Sequence, residues 1–210
     1  MAAMSQHDYV IVGGGLAAAS AVEGIRQLDG SGSILLLAAE PQLPYHRPPL
    51  SKGLWFGKKS LPEIFIHDQE FYRVNGVTLM LGVDVAGVDA GSKTVLDAHG
   101  RAYGFVKLLL ATGGRPRRLD IPGGQGQDVC YFRTVEDYAA LRRSVEDGAS
   151  ALVIGGGFIG SELAAGLAAN NVRVTMLYPS PYLCSRVFPL ALGKAIESMF
   201  QKRGIELVAG

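Results

Sequence analysis

At 210 residues with 48% apolar content, the chain can bury a substantial core as one or two domains. Its formal charge of +1 gives no bulk electrostatic case for a nucleic-acid or membrane partner. The apolar runs are too short or too interrupted by glycine to span a bilayer, and residues 1–8 read neither as a basic leader nor as a signal core, so a cytoplasmic protein is expected. Twenty-eight glycines fit an α/β protein with many tight turns between strands and helices.

The first apolar run, Tyr9 to Val12, reads as a strand and leads into Gly13-Gly14-Gly15-Leu16-Ala17-Ala18. Gly13 suits a tight turn, Gly15 lies where backbone must approach a pyrophosphate, and Ala18 is small enough to pack helix on strand. A helix is expected from about Gly15 to Leu28, and a second strand from Ile34 to Leu37. Glu40 follows that strand, where an acid would hydrogen-bond ribose hydroxyls. The segment Pro41 to Lys52, with prolines at 41, 44, 48 and 49, is expected to be an ordered loop, neither helix nor central strand. Its Tyr45, His46, Arg47 and Lys52 are then candidates for function. Between Val77 and Leu96 short strands and turns are expected, Val83 and Val85 in one strand and Thr94 to Leu96 in another, then a strand from Phe105 to Ala111 stopped by Thr112-Gly113-Gly114.

Thr134 reads as the N-cap of a helix from Val135 to Val145. Beyond it the opening pattern recurs: Leu152 to Ile154 as a strand, then Gly155-Gly156-Gly157-Phe158-Ile159-Gly160 at the start of a helix running to about Ala169. A strand from Arg173 to Leu177, a helix from Ala191 to Arg203 and a strand from Ile205 to Val208 complete the reading. The expected fold is α/β, with two Rossmann-like dinucleotide-binding units, the second incomplete at Gly210. Two such cradles suggest two dinucleotides, and a protein holding two most economically passes electrons between them. Cys130 and Cys184 form no Cys-x-x-Cys pair and read as inert thiols, so electrons would travel on bound cofactors.

Taken together, Gly13-x-Gly15-x-x-Ala18, Arg47-Pro48-Pro49-Leu50-Ser51-Lys52, Leu110-Ala111-Thr112-Gly113-Gly114-Arg115-Pro116, Phe132-Arg133-Thr134-x-Glu136-Asp137 and Gly155-Gly156-Gly157-Phe158-Ile159-Gly160-Ser161-Glu162 resemble the FAD-dependent pyridine-nucleotide oxidoreductases. Within them the chain is most similar to the branch of ferredoxin and rubredoxin reductases and apoptosis-inducing-factor-like proteins. The resemblance implies an FAD-binding domain over 1–125 and the first part of an NAD(P)-binding domain over 126–210. It implies FAD on Gly13, Gly15, Ala17 and Ala18, with Glu40 at the ribose and Lys52 near the isoalloxazine. Val85 would lie by the adenine, Ala111, Thr112 and Gly113 would line the cofactor, and Arg47 and Arg133 would sit close by. It implies NADH, with NADPH as the alternative, on Gly155, Gly157, Phe158, Ile159 and Gly160. One departure stands out: where an acid would mark NAD, after Leu177, the chain has Tyr178-Pro179-Ser180.

Lys52 and Glu162 are the catalytic candidates, expected as a buried pair in which the ammonium stabilises charge arriving on the flavin and the carboxylate orients it. The bland alternatives are a solvated loop lysine and an acid placed only to favour the helix dipole. Arg115, Arg117 and Arg118 read as solvated rather than as a docking patch. His46 and His67 lack metal-ligand spacing, and Trp55 reads as core. The expected activity passes electrons from NAD(P)H through FAD to an external acceptor such as an iron–sulfur protein. A reductase of monodehydroascorbate or a quinone, and an apoptosis-inducing-factor-like redox sensor, are the competing readings.

Overall fold

The computed structural model describes residues 4–126 and 128–210. They form two compact units, one holding the residues up to His46 with Pro62–Arg115, the other Arg47–Leu61 with Pro116–Gly210.

In the first unit, β1 (Ser5–Val12), helix α1 (Leu16–Leu28) and β2 (Ile34–Ala38) make the expected β-α-β arrangement. Helix α2 (Gln69–Val74), β3 (Val77–Leu81), β4 (Val85–Asp89), β5 (Thr94–Asp97) and β6 (Ala102–Leu110) follow. The sheet order is β3-β2-β1-β6-β5-β4. The β3, β2, β1 and β6 strands are parallel neighbours, whereas β4, β5 and β6 form an antiparallel meander. All five residues of β2 are buried, as a strand covered on both faces requires. On one face Val10, Val12, Leu35 and Leu37 pack with Val95, Tyr103 and Phe105 of the meander. On the other, Ile11, Ile34 and Leu36 pack under α1 through Ala18 and Val22, with Tyr72 of α2. Chain order reverses between β1 and β6, so the crevice at their C-terminal ends, at Gly13 and Ala111, is the position such sheets use for ligands.

The second unit contains α3 (Val135–Ser144), β7 (Ser150–Ile154), α4 (Phe158–Ala168), β8 (Arg173–Tyr178), α5 (Leu190–Gln201) and β9 (Glu206–Ala209), with a parallel sheet in the order β7-β8-β9. Thr134 caps α3 through a reciprocal box with Asp137. Trp55 lies in the core of this unit with Leu163, Leu167, Met176 and Phe200. Asn170 Nδ2 fixes it further by donating to the Trp55 carbonyl at 2.9 Å.

Several expectations change. The proline segment is not wholly loop: Pro48–Ser51 forms a 3-10 turn, because prolines fit the first positions, where no N–H is needed. Val83 lies outside any strand, and β4 begins at Val85. Helix α2 was not anticipated, while β3 lies at the start of the region from Val77 to Leu96 where short strands were expected. β6 begins three residues before the expected Phe105, where it pairs with β5.

Candidate functional site

Both glycine triplets sit on the same scaffold. The Gly13 N–H donates to the Leu37 carbonyl and the Gly155 N–H to the Leu177 carbonyl, each at 2.8 Å, so each turn is tied to the end of the neighbouring parallel strand. Gly13 has φ of +136° and Gly155 of +128°, a region that L side chains rarely adopt. A Cβ on Gly13 would stand 2.1 Å from the Ala111 carbonyl oxygen and 3.2 Å from the Thr112 nitrogen. The turn therefore lies directly on the strand end that carries Ala111, Thr112 and Gly113. Gly15 and Gly157 are the N-cap residues of α1 and α4, so the first N–H groups of both helices lack partners within the helix. Such a terminus is an anion-binding site through its N–H groups and dipole.

The third small residue differs between the two. Ala18 is fully buried in the first unit. In the second, a Cβ on Gly160 would stand 2.1 Å from the Gly155 carbonyl oxygen, so only glycine fits there. Ala17, Phe158 and Ile159 are exposed on the first turns of their helices. Gly14 packs against Ala38 at the end of β2, and Gly156 packs against the Tyr178 ring at the end of β8.

Around the first triplet, Glu40 accepts a hydrogen bond from the Tyr45 hydroxyl through Oε2. Val85, at the start of β4, packs against the meander-side core. Within the second unit, Arg47 Nη1 donates to the Arg133 carbonyl at 2.9 Å. The Arg133 Nε is buried without a hydrogen-bond partner, an orphaned donor that a bound anion or carbonyl would satisfy.

The two catalytic candidates meet: Lys52 Nζ lies 3.0 Å from Glu162 Oε1. The other carboxylate oxygen, Oε2, accepts from the Ser51 hydroxyl at 2.7 Å. The pair is not buried as expected, since the Lys52 side chain is 54% exposed and that of Glu162 27%. Ser51 itself is buried, at 5% exposure. Sequence reading missed it because 111 residues separate it from Glu162, and a serine beside a candidate lysine carries no signal of its own.

Tyr178, in the place where an acid would mark NAD, turns its ring inward beneath Gly156, and its hydroxyl donates to Glu197 Oε1 at 2.9 Å. It is therefore not available to a ribose. Burial, together with the hydrogen bond to Glu197, drives the Tyr178 phenol far above its ordinary value. Burial opposes the charge on Glu197, but bonds from Lys194, Tyr178 and the Leu183 N–H outweigh it and hold its carboxyl below the ordinary range.

The arginines at 115, 117 and 118 are exposed, and Arg118 lies over the Tyr131 ring. Cys130 is an exposed free thiol and Cys184 a buried one. Among the described residues, no group of three or more His, Cys, Asp or Glu could hold a metal ion, and no helix is long and apolar enough to cross a membrane.

Rubredoxin-NAD(+) reductase of Pseudomonas putida is 36% identical over 93% of this chain and 51% of its own length. Monodehydroascorbate reductase 2 of Arabidopsis thaliana is 34% identical over 100% of this chain and 52% of its own. The crystal structure of the covalent putidaredoxin reductase–putidaredoxin complex superposes with a TM-score of 0.91 at 32% identity, covering 98% of this chain and 50% of that one. The chain thus spans about half the length of the curated relatives it matches. The family model for pyridine nucleotide-disulphide oxidoreductases matches residues 7–210, through both glycine cradles. With two glycine turns on parallel-strand ends and the family's pattern running the length of the chain, the protein belongs to the pyridine nucleotide-disulphide oxidoreductase family.

Proposed function

We propose that this chain carries the first cofactor-binding portions of a flavoprotein oxidoreductase that passes electrons from NADH through FAD to an external acceptor. The observation that carries the reading is the pair of cradles, each with a positive-φ glycine turn on a parallel-strand end and each opening onto a helix N-terminus. The residues present fit the two cofactors. A Cβ on Gly15 or on Gly157 would meet nothing within 4 Å, so both helix N-termini are open to a pyrophosphate, and Arg133 Nε is a buried donor that a bound acceptor would satisfy. Bound FAD would supply the ability to take an electron pair and release electrons singly.

In this reading Gly13, Gly15, Ala17 and Ala18 seat the FAD pyrophosphate, Glu40 holds its ribose, and Val85, Ala111, Thr112, Gly113, Arg47 and Arg133 complete its surroundings. Gly155, Gly157, Phe158, Ile159 and Gly160 seat the pyridine nucleotide. Lys52 supplies a cation for charge developing on the flavin ring, and Glu162 with Ser51 fixes where that cation points. NADH is the proposed donor. Because Tyr178 faces the core, no acid at that position rejects a 2′-phosphate, and NADPH should also serve.

The proposed acceptor is an iron–sulfur protein such as a ferredoxin or rubredoxin, which the rubredoxin-NAD(+) reductase relative supports. A small acceptor such as monodehydroascorbate is the second reading, favoured by the relative matched over the whole chain. The free thiols fit a reducing cytoplasm. The test is the absorbance spectrum of the purified protein before and after anaerobic NADH, followed by turnover with a ferredoxin, a rubredoxin and monodehydroascorbate. Flavin bands that bleach with NADH and slightly less well with NADPH are expected. A protein that binds no flavin, or whose flavin neither nucleotide reduces, would overturn the reading.

A further inference from the structure

Glu197 on α5 is a buried carboxylate that the proposed chemistry does not use, being 7% exposed. Its Oε1 accepts from the Tyr178 hydroxyl at 2.9 Å and from the Leu183 N–H at 3.1 Å, and its Oε2 from Lys194 Nζ at 2.8 Å. Lys194 is on α5 itself, whereas Tyr178 ends β8 and Leu183 lies on the segment joining β8 to α5. That segment lies against the second glycine cradle. The Cys184 N–H donates to the Gly156 carbonyl at 2.7 Å, and the Phe188 ring meets the Phe158 ring edge-on at 5.6 Å. Cys184 adopts φ of +55°, a conformation unfavourable for a residue with a Cβ, so tertiary contacts must hold it there.

A trans peptide is planar, and its C=O and N–H point in opposite directions. With the Gly156 carbonyl turned toward Cys184, the Gly157 N–H faces the other way, out of the helix N-terminus where a pyrophosphate would be received. The Tyr178 ring supports Gly156 from beneath. Glu197 therefore holds, at one remove, both supports of the peptide that presents this donor.

We propose that Glu197 is a positioning residue for the pyridine-nucleotide cradle, fixing the Gly156–Gly157 peptide through Leu183, Cys184 and Tyr178. The inference rests on the reading that this cradle binds NADH. Replacement by an apolar side chain of similar length leaves the Leu183 N–H and the Tyr178 hydroxyl without their acceptor. The segment then releases the Gly156 carbonyl, and the donor array loses its aim. Glutamine retains one oxygen that can accept from both donors, and Lys194 can turn to solvent.

The test uses the FAD-loaded protein and stopped-flow flavin reduction across a range of NADH concentrations. Glu197→Met should raise the concentration for half-maximal reduction by about tenfold or more, with a much smaller change in the limiting rate, the mark of lost nucleotide binding. Glu197→Gln should recover most of that loss. Tyr178→Phe, which keeps the ring beneath Gly156, should show a rise of about two- to fivefold. Should the methionine variant fail to retain flavin, the glutamine and phenylalanine variants carry the test. Amide exchange at Leu183 and Cys184 should quicken in the variants and slow again on adding NADH. Unchanged half-saturation in the folded Met variant would overturn the inference, as would equal losses in the Met and Gln variants. If the wild-type protein shows no saturable response to NADH, the reading of the cradle fails, and this inference with it.

Discussion

Glu162 divides its carboxylate between two partners, Lys52 on one oxygen and the Ser51 hydroxyl on the other. Ser51 is neutral and buried while Lys52 is half in water, so the serine fixes the carboxylate and the carboxylate fixes the ammonium. An ion pair this exposed contributes only about 0.2–1 kcal/mol to stability, so its value has to be sought in the reaction. Lys52→Met and Glu162→Gln should each retain flavin yet slow its reduction by NADH, and the double variant should lose less than the two single losses combined. Ser51→Ala should cause a smaller slowing, absent when Glu162 is already glutamine. Stopped-flow rates for all six proteins, the Ser51→Ala/Glu162→Gln variant included, provide the check; strictly additive losses would leave the pair without a shared role. Only part of this trio was legible in the sequence. Lys52 and Glu162 stood out through motifs that resemble a family, whereas a side-chain bond across 111 residues leaves no local trace.

Elements that obey a strong local rule were the readable ones. α1 and α4 follow a glycine turn at a strand end, and the reciprocal Thr134–Asp137 cap marks the start of α3. α2 was missed and β3 was expected only as one of several short strands without bounds, because each is short and partly exposed, so that tertiary packing of Tyr72 and Leu79 decides what local pattern does not. The turn between α1 and β2 shows how one side chain can close such a connection. The Asp29 carboxylate accepts from the Gly32 and Ser31 N–H groups and from the Tyr9 hydroxyl on β1. These bonds, the Gly32 one foremost, lower its carboxyl from the ordinary 3.8 to about 2. A depressed carboxyl stabilises the fold above its ordinary value and ceases to do so as pH falls through the folded one. The stability advantage of the wild type over Asp29→Asn should therefore be full above 3.8 and shrink toward nothing near pH 2. Denaturant midpoints of both proteins through that window decide it; a difference independent of pH would mean the charge on Asp29 plays no part.

Across the whole molecule, the sequence conveyed the repetition of one device but not how differently the two copies are built. Both turns are tied back to a neighbouring strand in the same way, at Leu37 and at Leu177. The middle glycine then meets a methyl group in one copy and a tyrosine ring in the other. This difference was invisible beforehand, because Tyr178 registered only as a missing acid, and its inward course depends on a carboxylate 19 residues further on. The two copies also fail at different places. Gly13→Ala would place a Cβ 2.1 Å from the Ala111 oxygen and hold it at φ of +136°, a local strain of at least about 1–3 kcal/mol, on the residue proposed to seat FAD. Gly160→Ala would instead press on the Gly155 oxygen and tilt α4 away from the second cradle. The first variant should purify with little or no flavin, as its visible spectrum would report. The second should purify yellow, with normal flavin content, yet resist bleaching at NADH concentrations that saturate the wild type. Loss of flavin from Gly160→Ala together with full flavin in Gly13→Ala would reverse the assignment of the two cradles.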